Sequence, residues 1–173
     1  MMDAMRSKFI LLTLIVLLLD HLTKYLVSVR MGLKDSIEII PGYLRLSYVR
    51  NSGVAFGFFQ DLDAAWKPYL LCGLAIVAVA VIVIYSWRMP ADRSFLQGAL
   101  ALTMGGILGN FADRIMHGSV IDFIEVHVKD SFHWPTFNIA DSAITLGIAM
   151  LLIDTLRNPS QDAGHENVDS AQD

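Results

Sequence analysis

Four apolar stretches, each close to the ~20 residues needed to cross a hydrocarbon core, constrain this chain more than any other feature. They run from about 9 to 29, 66 to 87, 95 to 115 and 136 to 156. Lipid offers the backbone no hydrogen-bond partners, so a spanning segment of this kind folds as a helix. Aromatic residues mark the ends: Trp66 and Tyr69, Tyr85 and Trp87, and Trp134. Such rings settle at headgroup depth. The first stretch follows Arg6 and Lys8 like a cleavable leader, but FILLTLIVLLL runs into DHLTK and not into a small-x-small site. It therefore reads as an uncleaved span.

Short connections set the orientation. Arg6 and Lys8 precede the first span, Arg88 and Arg93 occupy the tight second connection, and Arg157 follows the fourth span. By the positive-inside rule these ends, and both termini, are cytoplasmic. Segments 30–65 and 116–135 then face outward. The first contains IEII, Pro41-Gly42 and YLRLSYV, a pattern of short strands around a turn, and SVIDFIEVHV in the second alternates like another strand. Pairing of the two sets would give a small sheet over the helices. Phe56, Phe58 and Phe59 are too apolar for a solvated loop, which suggests a segment lying on the membrane surface; a packed hairpin without lipid contact is the plainer alternative. The expected fold is thus a mainly α membrane protein, a single unit over residues 1–158, with a small outer sheet and a short surface helix or loop. Residues 159–173 form a polar, acidic tail, expected to be disordered and cytoplasmic.

Composition excludes some functions. A formal charge of −4 without a basic run gives no reason to expect nucleic acid. The single cysteine, Cys72, allows no internal disulfide and reads as a buried thiol. His21, His117, His127 and His133 lack the spacing of a zinc-binding helix, so no metal is expected.

Charged groups inside spans cost about 2.5–3.5 kcal/mol each on insertion scales, so each needs a reason. At ~1.5 Å rise per residue, Asp20 lies roughly 13 Å below the outer end of the first helix, and Asp141 about 9 Å below a fourth helix starting at Pro135. Asp113 and Arg114 close the outer end of the third helix, and Asp122 follows in the strand beyond. Four aspartates from separate elements therefore converge on one outer layer. Asp20 and Lys24 can pair at i, i+4. Gly106, Asn110, Asp113 and Arg114 share one helix face, and Asn138 and Asp141 another. Plainer readings exist: Asp20–Lys24 as a local ion pair, Asp113–Arg114 as an interfacial pair, and Gly105, Gly106 and Gly109 as close helix packing. Asp122 and Asp141 have no cation within four residues.

Two carboxylates brought together in a low-dielectric site share a proton, because both cannot ionise cheaply. One can take a proton from water while the other protonates the leaving amine, which suits amide hydrolysis. Asn110, Asn138 and Arg114 are placed to orient such a pair. Intramembrane Asp and Lys also mark proton pathways, so a proton-coupled transporter is the alternative reading. A non-catalytic receptor for lipidated substrates is a third.

The blocks DHLTK (20–24), NSGVAF (51–56), GGILGNFADR (105–114), VIDF (120–123) and FNIADSAI (137–144) resemble, in order and spacing, the motifs of bacterial lipoprotein signal peptidase, an aspartyl peptidase family also called signal peptidase II. That resemblance implies a catalytic pair at Asp122 and Asp141. It implies supporting or substrate-binding roles for Asp20, Lys24, Asn51, Gly53, Asn110, Asp113, Arg114, Asn138 and Ala140. It further implies an endopeptidase of the bacterial inner membrane, with its site near the extracytoplasmic face. The substrate would be a diacylglyceryl-modified prolipoprotein, cut just before the lipidated cysteine. Membrane lipid and globomycin-type peptides are the other partners implied, with no cofactor and a monomeric protein. His21 departs from the pattern, standing where the family commonly has glutamine.

Overall fold

The computed structural model describes residues 4–53, 66–90, 93–129 and 131–157. Among these residues are four helices: α1 (Ala4–Arg30), α2 (Lys67–Arg88), α3 (Ser94–His117) and α4 (Ile139–Arg157). All four are long and apolar enough to cross a membrane, in agreement with the sequence. The expected surface segment bearing Phe56, Phe58 and Phe59, and the acidic tail, lie outside the described residues.

Helix α3 is the hub and packs against each of the other three. Lipid tails are as apolar as leucine, so helices in a bilayer associate through close backbone approach and hydrogen bonds. The α3 glycines provide the approach. A Cβ at Gly105 would lie 2.7 Å from Cβ of Val16 and 2.9 Å from the Thr13 carbonyl oxygen, both on α1. At Gly106 it would overlap the carbonyl oxygen of Ala140 on α4. Hydrogen bonds close the end remote from the sheet: Ser86 Oγ donates to Gln97 Oε1 (2.8 Å), and Gln97 Nε2 donates to the Ser86 carbonyl (2.9 Å), joining α2 to α3. Arg93 pairs with Asp154 of α4 at 2.6 Å. Leu11, Leu18 and Leu22 of α1, Val77 and Val81 of α2, and Leu152 and Leu156 of α4 point outward, as lipid-facing side chains must.

Strands from the α1–α2 and α3–α4 connections form an antiparallel sheet in the order β1 (Ser36–Ile40), β2 (Leu44–Asn51), β3 (Val120–Val128), β4 (Phe132–His133). The β1–β2 turn falls at Pro41-Gly42, where Gly42 has φ of 78°, a conformation that disfavours side chains. Arg45 meets Glu125 at 2.5 Å, and Ser47 and His133 also approach its carboxylate. These partners, Arg45 foremost, hold Glu125 down to about 2. Beneath the sheet, Val27 of α1 packs with Tyr48, Ile121 and Phe123, seating it on the end of the bundle.

Two local irregularities position functional groups. A bulge in β2 between Leu46 and Val49 resets the register, so that Val49 faces Asp122 and Asn51 faces Val120. The second corrects the expected start of α4. Phe137 bridges to Ile124: its N–H donates to the Ile124 carbonyl (3.0 Å), and its own carbonyl accepts from Phe123 and Ile124. Bound to β3 in this way, residues 136–138 cannot be helical, and α4 starts at Ile139. Asp141 therefore sits in the first turn, about 3 Å along the axis, not deep within a longer helix.

Candidate active site

Asn138, with no exposed surface, joins two carboxylates. Its backbone N–H donates to Asp141 Oδ2 (3.3 Å), while its Oδ1 accepts from the Asp141 N–H (2.8 Å). This is a reciprocal capping arrangement, which satisfies donors at a helix start. Asn138 Nδ2 in turn donates to Asp122 Oδ1 at 2.7 Å. One residue thus holds the aspartate of β3 beside the aspartate of α4. The other Asp122 oxygen accepts from Asn51 Nδ2 (2.9 Å), and Asp141 Oδ1 accepts from Asn110 Nδ2 (2.8 Å).

Burial pushes the Asp122 carboxyl up to about 7, and the nearby charge of Asp141 adds to the rise. Hydrogen bonds from Asn51 and Asn138 oppose it. Near neutral pH this carboxyl is poised between its two protonation states.

Behind the pair lies a buried network. Nζ of Lys24 is 2.7 Å from Asp20 Oδ2, 3.0 Å from Asp113 Oδ2 and 3.1 Å from Asn110 Oδ1. The second oxygen of Asp20 accepts from the N–H of Ala140 (2.9 Å), and Asp113 accepts from the N–H of Ile121 (3.1 Å). The expected local pair Asp20–Lys24 is therefore part of a wider assembly, which fixes the start of α4 and the start of β3. Asp113 pairs with Lys24 and not with its neighbour Arg114. Arg114 instead donates to the carbonyls of Asn110 (3.2 Å) and Gly53 (3.1 Å), and Gly53 N–H donates to Asn51 Oδ1 (2.8 Å). His21 lies half-buried, its Nδ1 bonded to the Leu17 carbonyl of its own helix (3.0 Å) and 4.0 Å from Asp20 Oδ2, at the edge of the network. Among the described residues, no group of three or more His, Cys, Asp or Glu is placed to hold a metal ion.

A groove of about 820 Å³ runs from this cluster between α2, α3 and α4. Leu71, Leu74 and Ala78 of α2, Ile107 of α3, and Ile144 and Ile148 of α4 form its apolar walls. Asn110, Arg114 and Asp141 form its polar end, with Trp134 beside it. Periodicity could not identify these wall residues, because apolar side chains facing lipid and facing a groove read alike.

The signal peptidase II family model matches residues 12–157. This chain belongs to the signal peptidase II family. It is 39% identical over 153 residues to the lipoprotein signal peptidase of Pseudomonas syringae pv. tomato, covering 88% of each chain. It is 42% identical over 146 residues to that of Solibacter usitatus, covering 84% of this chain and 88% of the relative. Among solved structures it resembles a bacterial membrane enzyme determined in meso at 2.3 Å resolution, with a TM-score of 0.76 and 33% identity over 89% of this chain and 90% of that one. A second such structure, at 1.9 Å, gives the same TM-score and identity. Membership of the signal peptidase II family makes the chain a multi-pass membrane peptidase, and nothing in these relatives supports proton-coupled transport.

Proposed function

We propose that this peptidase removes signal peptides from diacylglyceryl-modified prolipoproteins, with Asp122 and Asp141 as its catalytic pair. The observation that carries the reading is the bonding of both carboxylates to Asn138 at the polar end of an apolar groove. The apolar helix of a signal peptide would lie in the groove, and its lipidated cysteine would anchor at the outer leaflet. Water held between the carboxylates gives a proton to Asp141 as its oxygen attacks the carbonyl. Asp122, protonated, hydrogen-bonds the developing oxyanion and then passes that one proton to the leaving nitrogen, and the proton taken up by Asp141 returns to Asp122 to restore the pair. One water is consumed, giving a new carboxyl terminus on the signal peptide and a free amine on the cysteine. Asn51, Asn110, Asn138 and Arg114 orient the reacting groups. Asp20, Lys24, Asp113, Gly53 and Ala140 hold the elements that carry them. The positive residues at Arg88, Arg93 and Arg157 support cytoplasmic termini and a site facing outward across the bacterial inner membrane. The same likeness to the family supports binding of globomycin-type peptides.

The deciding assay is cleavage by purified protein of one prolipoprotein with and without its diacylglyceryl group. Release of the signal peptide from the lipidated form alone is expected, and equal cutting of both would overturn the substrate assignment. Cleavage is also expected to continue in a chelator at full rate. A loss reversed by adding a divalent cation would replace the two-carboxylate chemistry.

The pair should impose a pH limit. Because Asp122 is raised, it keeps its proton below about 7 and loses it above. Above that point both carboxylates are charged and no acid remains for the leaving nitrogen. We expect kcat/KM to fall about tenfold per pH unit on that limb. A rate that stays flat to pH ~9 would remove Asp122 from this role.

A further inference from the structure

Lys24 lies wholly inside the bundle, 2% exposed, and does not line the groove. Its ammonium can only donate, and three oxygens stand within 3.1 Å of it: those of Asp20, Asp113 and Asn110. The third is the informative one. A side-chain amide can sit in either of two orientations, and its neighbours choose between them. At Asn110, both Lys24 Nζ (3.1 Å) and Asn138 Nδ2 (3.2 Å) point at one atom, which must be the oxygen. The Asn110 nitrogen is then turned toward Asp141 Oδ1, 2.8 Å away. In the opposite orientation the amide nitrogen would meet two donors, and its carbonyl would meet a carboxylate.

We infer that Lys24 is a positioning residue which, through Asn110, fixes the donor that holds Asp141 in place for the reaction. The inference rests on the catalytic reading of Asp122 and Asp141 given above. Lys24 hydrogen-bonds neither carboxylate of the pair. Its charge also acts through space on Asp122, which the charge-balanced removal of Lys24 with Asp20 offsets, while its bonded path to Asp141 passes through one amide. Its pairing with Asp20 and Asp113 also permits a simpler, purely structural role. The two roles predict different couplings.

The test is a double-mutant cycle on cleavage of a lipidated prolipoprotein by purified protein. One arm is Lys24→Met made together with Asp20→Asn. An asparagine at position 20 can still accept from the Ala140 N–H, and removing the two charges together keeps the net charge of the cluster, while Asp113 loses its ammonium and keeps its bond from the Ile121 N–H. The other arm is Asn110→Ala. The charge-balanced pair is expected to lower kcat about 10- to 100-fold, the loss typical of one hydrogen bond to a charged group. KM should stay within about twofold because the groove is untouched. In the Asn110→Ala protein the same pair should cost less than about threefold, since the amide it acts through is gone. Equal fold-losses in both backgrounds would overturn the inference.

Asn110→Asp supplies a second test that keeps the ammonium partner and requires no loss of buried charge. With Lys24 facing one oxygen, the other meets Asp141, and the donor is missing unless the new carboxyl takes up a proton. We expect this variant to be slow at neutral pH and to regain rate as the pH is lowered, whereas Asn110→Ala does not. A wild-type rate at neutral pH would also overturn the inference. Failure of the catalytic reading looks different: Asp122→Asn or Asp141→Asn would then retain cleavage, whatever the cycle gives.

Discussion

Asp122→Asn and Asp141→Asn should each lower signal-peptide cleavage by at least about 10³-fold, the scale of losing an acid or base together with its partner. Neither change alters side-chain volume, and most of the local bonding survives. An asparagine at 141 still offers an oxygen to the Asn138 N–H and keeps the reciprocal bond through its own backbone, while its nitrogen would face Asn110 Nδ2. At 122, one of the two donors now meeting the carboxylate, Asn51 Nδ2 or Asn138 Nδ2, would face an amide nitrogen. That costs about 1–3 kcal/mol, against the roughly 5–15 kcal/mol by which folded domains are typically stable. The variants should therefore extract and migrate as wild type while failing to cut. If either turns over lipidated substrate at more than a tenth of the normal rate, the aspartyl pair is not the catalyst. Unfolding of both variants would show instead that the carboxylates are structural.

Gly106→Val should produce the second large effect, on stability and activity together. A Cβ there would overlap the Ala140 carbonyl oxygen and come within 2.7 Å of the Ile144 side chain. The carbonyl belongs to the first turn of α4, so relief requires moving that helix start bodily away from α3. Asn138, Ala140 and Asp141 would move with it. Overpacking of this kind costs typically about 1–3 kcal/mol, more where backbone is the obstacle. A displacement near 1 Å at the reacting groups can cost about 100-fold in rate. Thermal unfolding in detergent and cleavage kinetics together would show both losses. Gly98→Val is the control, because on the same helix a Cβ there meets only the Met150 methyl at 3.9 Å. Equal behaviour of the two variants would mean that helix propensity, not the α3–α4 approach, controls the result.

The spans, the strands of the two connections and the polar residues that cluster were all readable along the chain. Each rests on a local pattern: length and apolarity for α1 to α4, alternation for β1 to β3, and motif order for the site. The depth of Asp141 was not readable. Pro135 and the apolar residues after it suit an earlier helix start, and only the bridge from Phe137 to Ile124, thirteen residues away in the chain, holds that segment extended. The bulge in β2 was hidden for the same reason, since alternation in LRLSYVRN does not reveal which partner each residue faces. The plainer alternative of an Asp113–Arg114 pair rested on adjacency in the sequence, whereas the cation at Asp113 comes from Lys24 of another helix.

By itself the sequence determined that this protein crosses a membrane four times, gathers its charges toward one side and carries the motifs of a signal peptidase. The spans and the placement of charge follow from solvation of the chain in lipid, which acts residue by residue, and the motifs are carried by residue order alone. Tertiary structure alone decided that Asn138 stands between Asp122 and Asp141, and that Lys24 reaches across to Asn110. Hydrogen bonds act over about 3 Å, so which donor meets which acceptor is settled only when helices and strands distant in the chain have packed.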